Sequence, residues 1–187
     1  MIDNDDSFTF MLVDQLRMAG GEVRVVRASD TGIQDALDQD IDGVVISPGP
    51  GHPAEAISSI AIARACIDAE KPLLGVCLGH QVIALACGGT IERVAPVHGK
   101  SLAVHHEGAG LFAALPSPFY ATRYHSLATG VLHDELVDTA WSDDGTVMAL
   151  QHRSAPAYGV QFHPESIASD CGQALLQAFT ELVRIRA

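Results

Sequence analysis

Residues 73–82 read LLGVCLGHQV, an apolar run that ends on Cys77 with Gly75 and Gly79 two positions to either side. A cysteine between two such glycines is the thiol counterpart of a strand–turn–helix nucleophile elbow. The turn is so tight that side chains two residues away have no room. It would lift the sulfur out of the carboxyl end of a sheet, where α/β proteins bind ligands. The N-terminus of the following helix favours a thiolate there, and the Leu78 amide faces the same point and can bind an oxyanion. The competing reading is a buried core thiol, a common fate of cysteine. The other three cysteines fit that second reading: Cys66 and Cys87 lie on apolar helix faces, and Cys171 is near a helix start.

A thiol nucleophile needs a base and a group to orient it. The chain has nine histidines, and His163 stands out among them. It ends the apolar stretch YGVQF and is followed by Pro164 and Glu165. Proline holds the preceding residue extended, and in an extended chain positions i and i+2 project to the same side. Glu165 can therefore hold one imidazole nitrogen and leave the other to take a thiol proton, which is triad logic with cysteine as nucleophile. The alternative is a turn with an incidental His and Glu. His105 and His106 are adjacent and face opposite ways on a strand. His98, His133 and His152 read as surface or hydrogen-bonded structural residues. No histidine pair has zinc spacing, so no metal site is expected. A third segment, SPGPGHP at 47–53, follows a buried strand. Its prolines lack amide hydrogens, whereas Gly49 and Gly51 can present theirs unobstructed, so it offers a second oxyanion donor or merely a rigid turn.

The elements that must position these groups follow from periodicity and punctuation. MID reads as a strand end. The stretch 5–21 reads as a helix with Phe8, Leu12, Leu16 and Ala19 at helical spacing, capped by Asp6 or Ser7 and stopped at Gly20–Gly21. EVRVVR and Val44–Ile46 read as strands, 54–70 as a helix, KPLLGV as a strand and 79–89 as a helix. Such alternation implies a parallel sheet with right-handed crossovers. Beyond Gly89 the chain is strand-rich, with strands expected at 91–94, 101–105, 120–124, 136–141, 147–151 and 158–162, some of them antiparallel. The stretch 170–187 closes as an amphipathic helix.

The 187 residues fit one domain, 1–187, with no internal repeat or linker. Hydrophobic residues make up 48% and aromatics 5%, so the core is aliphatic, as in layered α/β proteins. A net charge of −12 repels phosphate backbones and argues against a nucleic-acid partner. No apolar run is long enough to span a bilayer. Four cysteines with no C-x-x-C pair point to a reducing, cytoplasmic setting.

Taken together, SPGPGHP, LLGVCLGHQ and GVQFHPES resemble the class I, triad-type glutamine amidotransferases. IDNDDSFTF, HGKS (98–101), RYHSL (123–127) and AWSDDG (140–145) are similar to one branch, the glutaminase subunits of chorismate-aminating synthases. That branch includes component II of anthranilate synthase and of aminodeoxychorismate synthase. The resemblance implies a flavodoxin-like, open, mostly parallel α/β sheet with added antiparallel strands. It implies Cys77 as nucleophile, forming a glutamyl thioester, His163 as base and then acid, and Glu165 as its orienter. Amides of Gly49 and Leu78 would form the oxyanion hole, and Gly49, Pro50, Gly51, Gln81, Ser126 and Leu127 would hold L-glutamine. Ammonia would pass to a chorismate-binding synthase subunit making 4-amino-4-deoxychorismate or anthranilate, with Mg²⁺ in that partner and no cofactor in this chain. The alternatives are a subunit for another aminating synthase, a free-standing γ-glutamyl cysteine hydrolase, or an anion-binding module that is not an enzyme. The chain departs from its relatives at Asp5, Met11 and His52, and in a first strand that opens at Met1-Ile2-Asp3 and is expected to be central.

Overall fold

The computed structural model describes residues 1–187. In chain order the elements are β1 (Ile2–Asp3), α1 (Thr9–Met18), β2 (Val26–Arg27), α2 (Ile33–Ala36), β3 (Val44–Ile46), α3 (Ile57–Asp68), β4 (Leu73–Val76), α4 (Leu78–Ala86), β5 (Ile91–Arg93), β6 (Lys100–His106), β7 (Phe119–Arg123), β8 (Leu127–Thr129), β9 (Leu136–Ser142), β10 (Val147–His152), β11 (Ala157–Val160) and α5 (Gly172–Arg186). Nine strands form one sheet in the order β2-β1-β3-β4-β11-β10-β9-β6-β7, and β5 pairs with β8 separately. The first five strands of that order run parallel, and the remaining pairings are antiparallel. The expected parallel sheet with an antiparallel extension is thus present, joined at β11.

Side-chain alternation divides the core between the two faces. Val45, Leu74, Val76 and Val160 face Leu12, Leu16, Leu175 and Phe179 of α1 and α5. Val44, Ile46 and Leu73 face Ile62, Ala63, Val82 and Ile83 of α3 and α4. This is the period of two that a strand covered on both sides requires.

Three expectations about the elements are corrected. β1 is not central; it lies next to the edge strand β2. EVRVVR forms ladder pairs only at Val26 and Arg27, because β1 offers only Ile2 and Asp3 as partners. Neither Asp6 nor Ser7 caps the first helix: Phe8 is its N-cap residue with no side-chain cap, Asp6 accepts the Phe8 amide at 2.7 Å in the turn before it, and α1 starts at Thr9 rather than at residue 5. The short α2 and β8 have no periodic run long enough to signal them in the sequence.

The join of β4 to α4 is a close backbone contact at the site end of the sheet. A Cβ on Gly75 would lie 2.3 Å from the Gly79 carbonyl oxygen, and one on Gly79 would lie 2.3 Å from that of Ile46. Real Cβ atoms do not approach backbone oxygen so closely, so both positions must be glycine. We expect Gly75→Ala to lose about 3 kcal/mol or more of stability, read as a lowered urea midpoint. A midpoint within error of the parent would show that the turn can relax.

Candidate active site

Cys77 is the residue between β4 and α4, and its backbone is at φ 52°, ψ −99°. A non-glycine residue held there costs about 1–3 kcal/mol. Burial of a single Leu or Val side chain contributes about 1.5–3 kcal/mol, and Leu74 and Val76 just before it are fully buried. The core therefore holds the strained turn in place. The Cys77 amide donates to the Val160 carbonyl at 2.8 Å, which fixes the elbow against the end of β11. Three residues beyond β11 comes His163, whose amide donates to the Thr122 carbonyl at 3.0 Å. Adjacent parallel strands thus carry the thiol and the imidazole to the same end of the sheet.

His163 Nδ1 lies 2.5 Å from Glu165 Oε1, and both side chains are buried. The His163–Glu165 pairing expected from the sequence is present, but the chain makes it through a turn, with the Ser166 amide donating to the His163 carbonyl at 3.2 Å, rather than through extended backbone. Nε2 has no conventional hydrogen-bond partner and neighbours the Cys77 sulfur. Burial disfavours the imidazolium, but hydrogen bonding and charge interaction with the Cys77 sulfur and the Glu165 carboxylate outweigh it and raise the His163 pKa to about 10. Phe8 and Tyr124 stand edge-on to the ring, with centroids 5.6 and 5.2 Å away, and limit its rotation.

The SPGPGHP loop leaves β3 beside β4 and packs on the elbow. A Cβ on Gly49 would lie 2.6 Å from Leu78 Cδ2 and 2.7 Å from Asn4 Cβ. Leu78 opens α4, so its N–H has no intrahelical acceptor, and the Gly49 amide likewise donates to no protein group. Asn4 clamps the loop: its backbone N–H donates to Ser47 Oγ at 2.9 Å and its side-chain amide donates to the Ser47 carbonyl at 3.3 Å. Ser59 Oγ in turn donates to Asn4 Oδ1 at 2.6 Å. Sequence reasoning assigns no role to Asn4 or Ser59, because their partners lie 43 and 55 residues away.

Of the residues expected to hold glutamine, Gly51, Pro50 and Ser126 are exposed, and Leu127 is half-buried. Gln81 is buried, and its Nε2 donates both to the Leu127 carbonyl at 2.8 Å and to Gln161 Oε1 at 2.9 Å. Only Gln81 Oε1 remains for a ligand. Gln161, fully buried, donates from Nε2 to Cys77 Sγ at 3.7 Å; the sequence reading does not single it out.

Burial pushes the Cys66 thiol up to about 12 and the Cys87 thiol up to about 11, and both side chains are buried. Cys87, Glu135 and His152 place potential ligand atoms within 4.8 Å of one another. The donor set nevertheless does not suit a metal. His152 Nδ1 accepts the Ala155 amide at 2.9 Å, which leaves the ring proton on Nε2, and Glu135 is already paired with Arg64 at 3.0 Å. A cavity of about 530 Å³, lined by Met1, Gly43, Val44, Val183 and Arg184, lies at the opposite ends of the strands from Cys77. No helix is long and apolar enough to cross a membrane.

A strained cysteine at a strand–helix elbow, a buried His–Glu pair and two uncommitted amides thus lie at one end of the sheet. Residues 1–182 match the family described as glutamine amidotransferase class-I, and the chain belongs to that family. It is 48% identical to an aminodeoxychorismate synthase of Streptomyces griseus over 97% of this chain and 25% of that protein. It is 46% identical to anthranilate synthase component 2 of Mycobacterium tuberculosis over 94% of this chain and 78% of that one. It is 44% identical to anthranilate synthase component 2 of Azospirillum brasilense over 98% and 95%. The chain thus spans only a quarter of the Streptomyces relative. A solved structure from Thermoplasma acidophilum, described as a GMP synthase subunit, superposes with a TM-score of 0.88 at 26% identity, over 98% of this chain and 92% of that one.

The Glu165 carboxylate is one of the two groups that keep His163 charged against burial. In Glu165→Gln we expect His163 to titrate well below 10, read by histidine ¹H–¹⁵N NMR. An unchanged titration would show that Glu165 does not hold the ring.

Proposed function

We propose that this chain hydrolyses L-glutamine and delivers the ammonia to a chorismate-binding synthase subunit. The observation that carries the chemistry is the convergence of Cys77 and the His163–Glu165 pair at the ends of neighbouring parallel strands. The Cys77 thiolate attacks the carboxamide carbon of glutamine. The oxyanion that forms is held by the amides of Gly49 and Leu78. His163, as imidazolium, gives its proton to the departing nitrogen, the C–N bond breaks, and ammonia leaves a glutamyl thioester on Cys77. Water then attacks the thioester with His163 as base, releasing glutamate and restoring the thiol. Glu165 accepts the Nδ1 proton and so leaves Nε2 as the nitrogen that takes up and gives back the working proton.

The substrate's α-ammonium suits Gln81 Oε1, the acceptor left over by that side chain's internal bonds. Gly51, Pro50, Ser126 and Leu127 line the approach. No step needs a cofactor in this chain; Mg²⁺ belongs to the chorismate-binding partner. A reducing cytoplasm keeps Cys77 and the other three free cysteines as thiols.

The relatives named for chorismate-utilising synthases, at 44–48% identity, support this partner over one from GMP synthesis, whose relative is 26% identical. An apolar edge supports docking beside the site: Ile167 is 100% exposed and Tyr120 53%. Ile167 lies four residues beyond His163, and the Tyr120 carbonyl accepts the Asp170 amide at 2.9 Å.

The test is ammonia release from glutamine by the chain alone and with a chorismate-binding subunit plus chorismate. We expect release that rises with the partner and falls at least a thousandfold, on the order of a lost nucleophile, in Cys77→Ser. Strong release by the chain alone, unchanged by any such partner, would contradict its place in a synthase complex. Retained turnover in Cys77→Ser would contradict the nucleophile.

A further inference from the structure

We propose that Gln161 is the amide donor that holds the reactive sulfur of Cys77, and that Gln81, Leu127, His125 and Arg123 fix which way that amide points. The proposal rests on the reading of Cys77 as nucleophile. Its basis is a run of hydrogen bonds in which each donor is forced by the one before.

The run starts at Arg123, which is 1% exposed. Its guanidinium can only donate, and Nε donates to His125 Nε2 at 2.9 Å. His125 must therefore carry its proton on Nδ1, which donates to the Leu127 carbonyl at 2.9 Å. Burial, with Arg123 alongside, lowers the His125 pKa to about 4, so this neutral tautomer persists at neutral pH. The Leu127 carbonyl can only accept, so the Gln81 atom 2.8 Å from it is the amide nitrogen. The second hydrogen of that nitrogen goes to Gln161, 2.9 Å away, which must present oxygen to it. Gln161 therefore has one orientation, with its NH₂ toward Cys77 Sγ at 3.7 Å.

A flipped Gln161 would set two nitrogens against each other and aim a carbonyl oxygen at a thiolate. The interior compensates for neither, because no water replaces a lost partner around a residue with no exposed surface. The N–H favours the anionic sulfur over the acylated one, since a thioester sulfur is a weaker acceptor. Gln161 thus acts on the free enzyme, before acylation, and complements His163 on the same atom. Gln81, His125 and Arg123 are positioning residues.

The experiment is the pH profile of Cys77 alkylation by iodoacetamide, with all four cysteines followed by peptide mass spectrometry, in the parent, Gln161→Glu and Gln161→Met. Both variants keep the side-chain length; the first replaces the donor by a carboxylate, the second by a thioether. We expect the Gln161→Glu profile to move up by about one pH unit, making alkylation about tenfold slower at pH 7. Gln161→Met should shift the same way by less. Folded variants whose profiles overlay the parent's would overturn the proposal, whatever their loss of thermal stability. If neither variant folds, the parent decides by ¹⁵N NMR of its glutamine side-chain amides. Two buried amide signals should move when Cys77 is alkylated, and their failure to move would overturn it. Should Cys77 not label fastest in the parent, the nucleophile reading itself fails, before any variant is compared.

Discussion

The site depends on one constraint, the approach of α4 to β4 across Gly75 and Gly79. Because no side chain separates helix from strand there, Cys77 is forced to φ 52° and its sulfur is presented at the sheet end. The same approach brings the start of α4, with its uncommitted Leu78 amide, up to that point. It also seats His80 over Gly159, where a Cβ would lie 2.9 Å from His80 Nδ1. His80 is fully buried, and burial lowers its pKa to about 3, so it bonds Thr129 at 2.9 Å as a neutral ring. Two histidines close to the elbow therefore serve different ends. His80 ties the helix to β8 and stays uncharged, whereas the Glu165 carboxylate and the Cys77 sulfur facing His163 favour its charged form.

Polar satisfaction extends the constraint outward. The loop after β3 is held by Asn4 and Ser59, the sulfur by Gln161, and Gln161 by Gln81. None of these side chains is free to move without leaving a buried donor or acceptor unpaired, at a cost of about 1–3 kcal/mol each. These bonds are made at folding and hold the elbow and the loop after β3 in fixed positions.

Much of this is legible in the sequence, and the parts that are not have a common cause. Val44–Ile46 and Leu73–Val76 are short β-branched or aliphatic runs bounded by glycine and proline, and both lie where expected. The Gly-x-Cys-x-Gly spacing carries the strain at Cys77, and His-Pro-Glu carries the 2.5 Å pair, because both are local geometry. Asn4 and Gln161 act through partners 43 and 84 residues away, and composition or periodicity does not encode such distances. The place of β1 beside the sheet edge escapes for the same reason, since an apolar strand does not state its neighbours. Gln81 is singled out only by the family resemblance, and the internal bonds that leave only its oxygen available are not legible in the sequence.

The central claim is that Cys77 carries the glutamyl group during turnover. It is tested most directly by acid-quenching the enzyme during reaction with ¹³C-labelled glutamine and mapping the label by peptide mass spectrometry. The account predicts a labelled acyl group on the peptide containing Cys77, lost on treatment with hydroxylamine. Ammonia release with no label on Cys77, or with label on another residue, would contradict it.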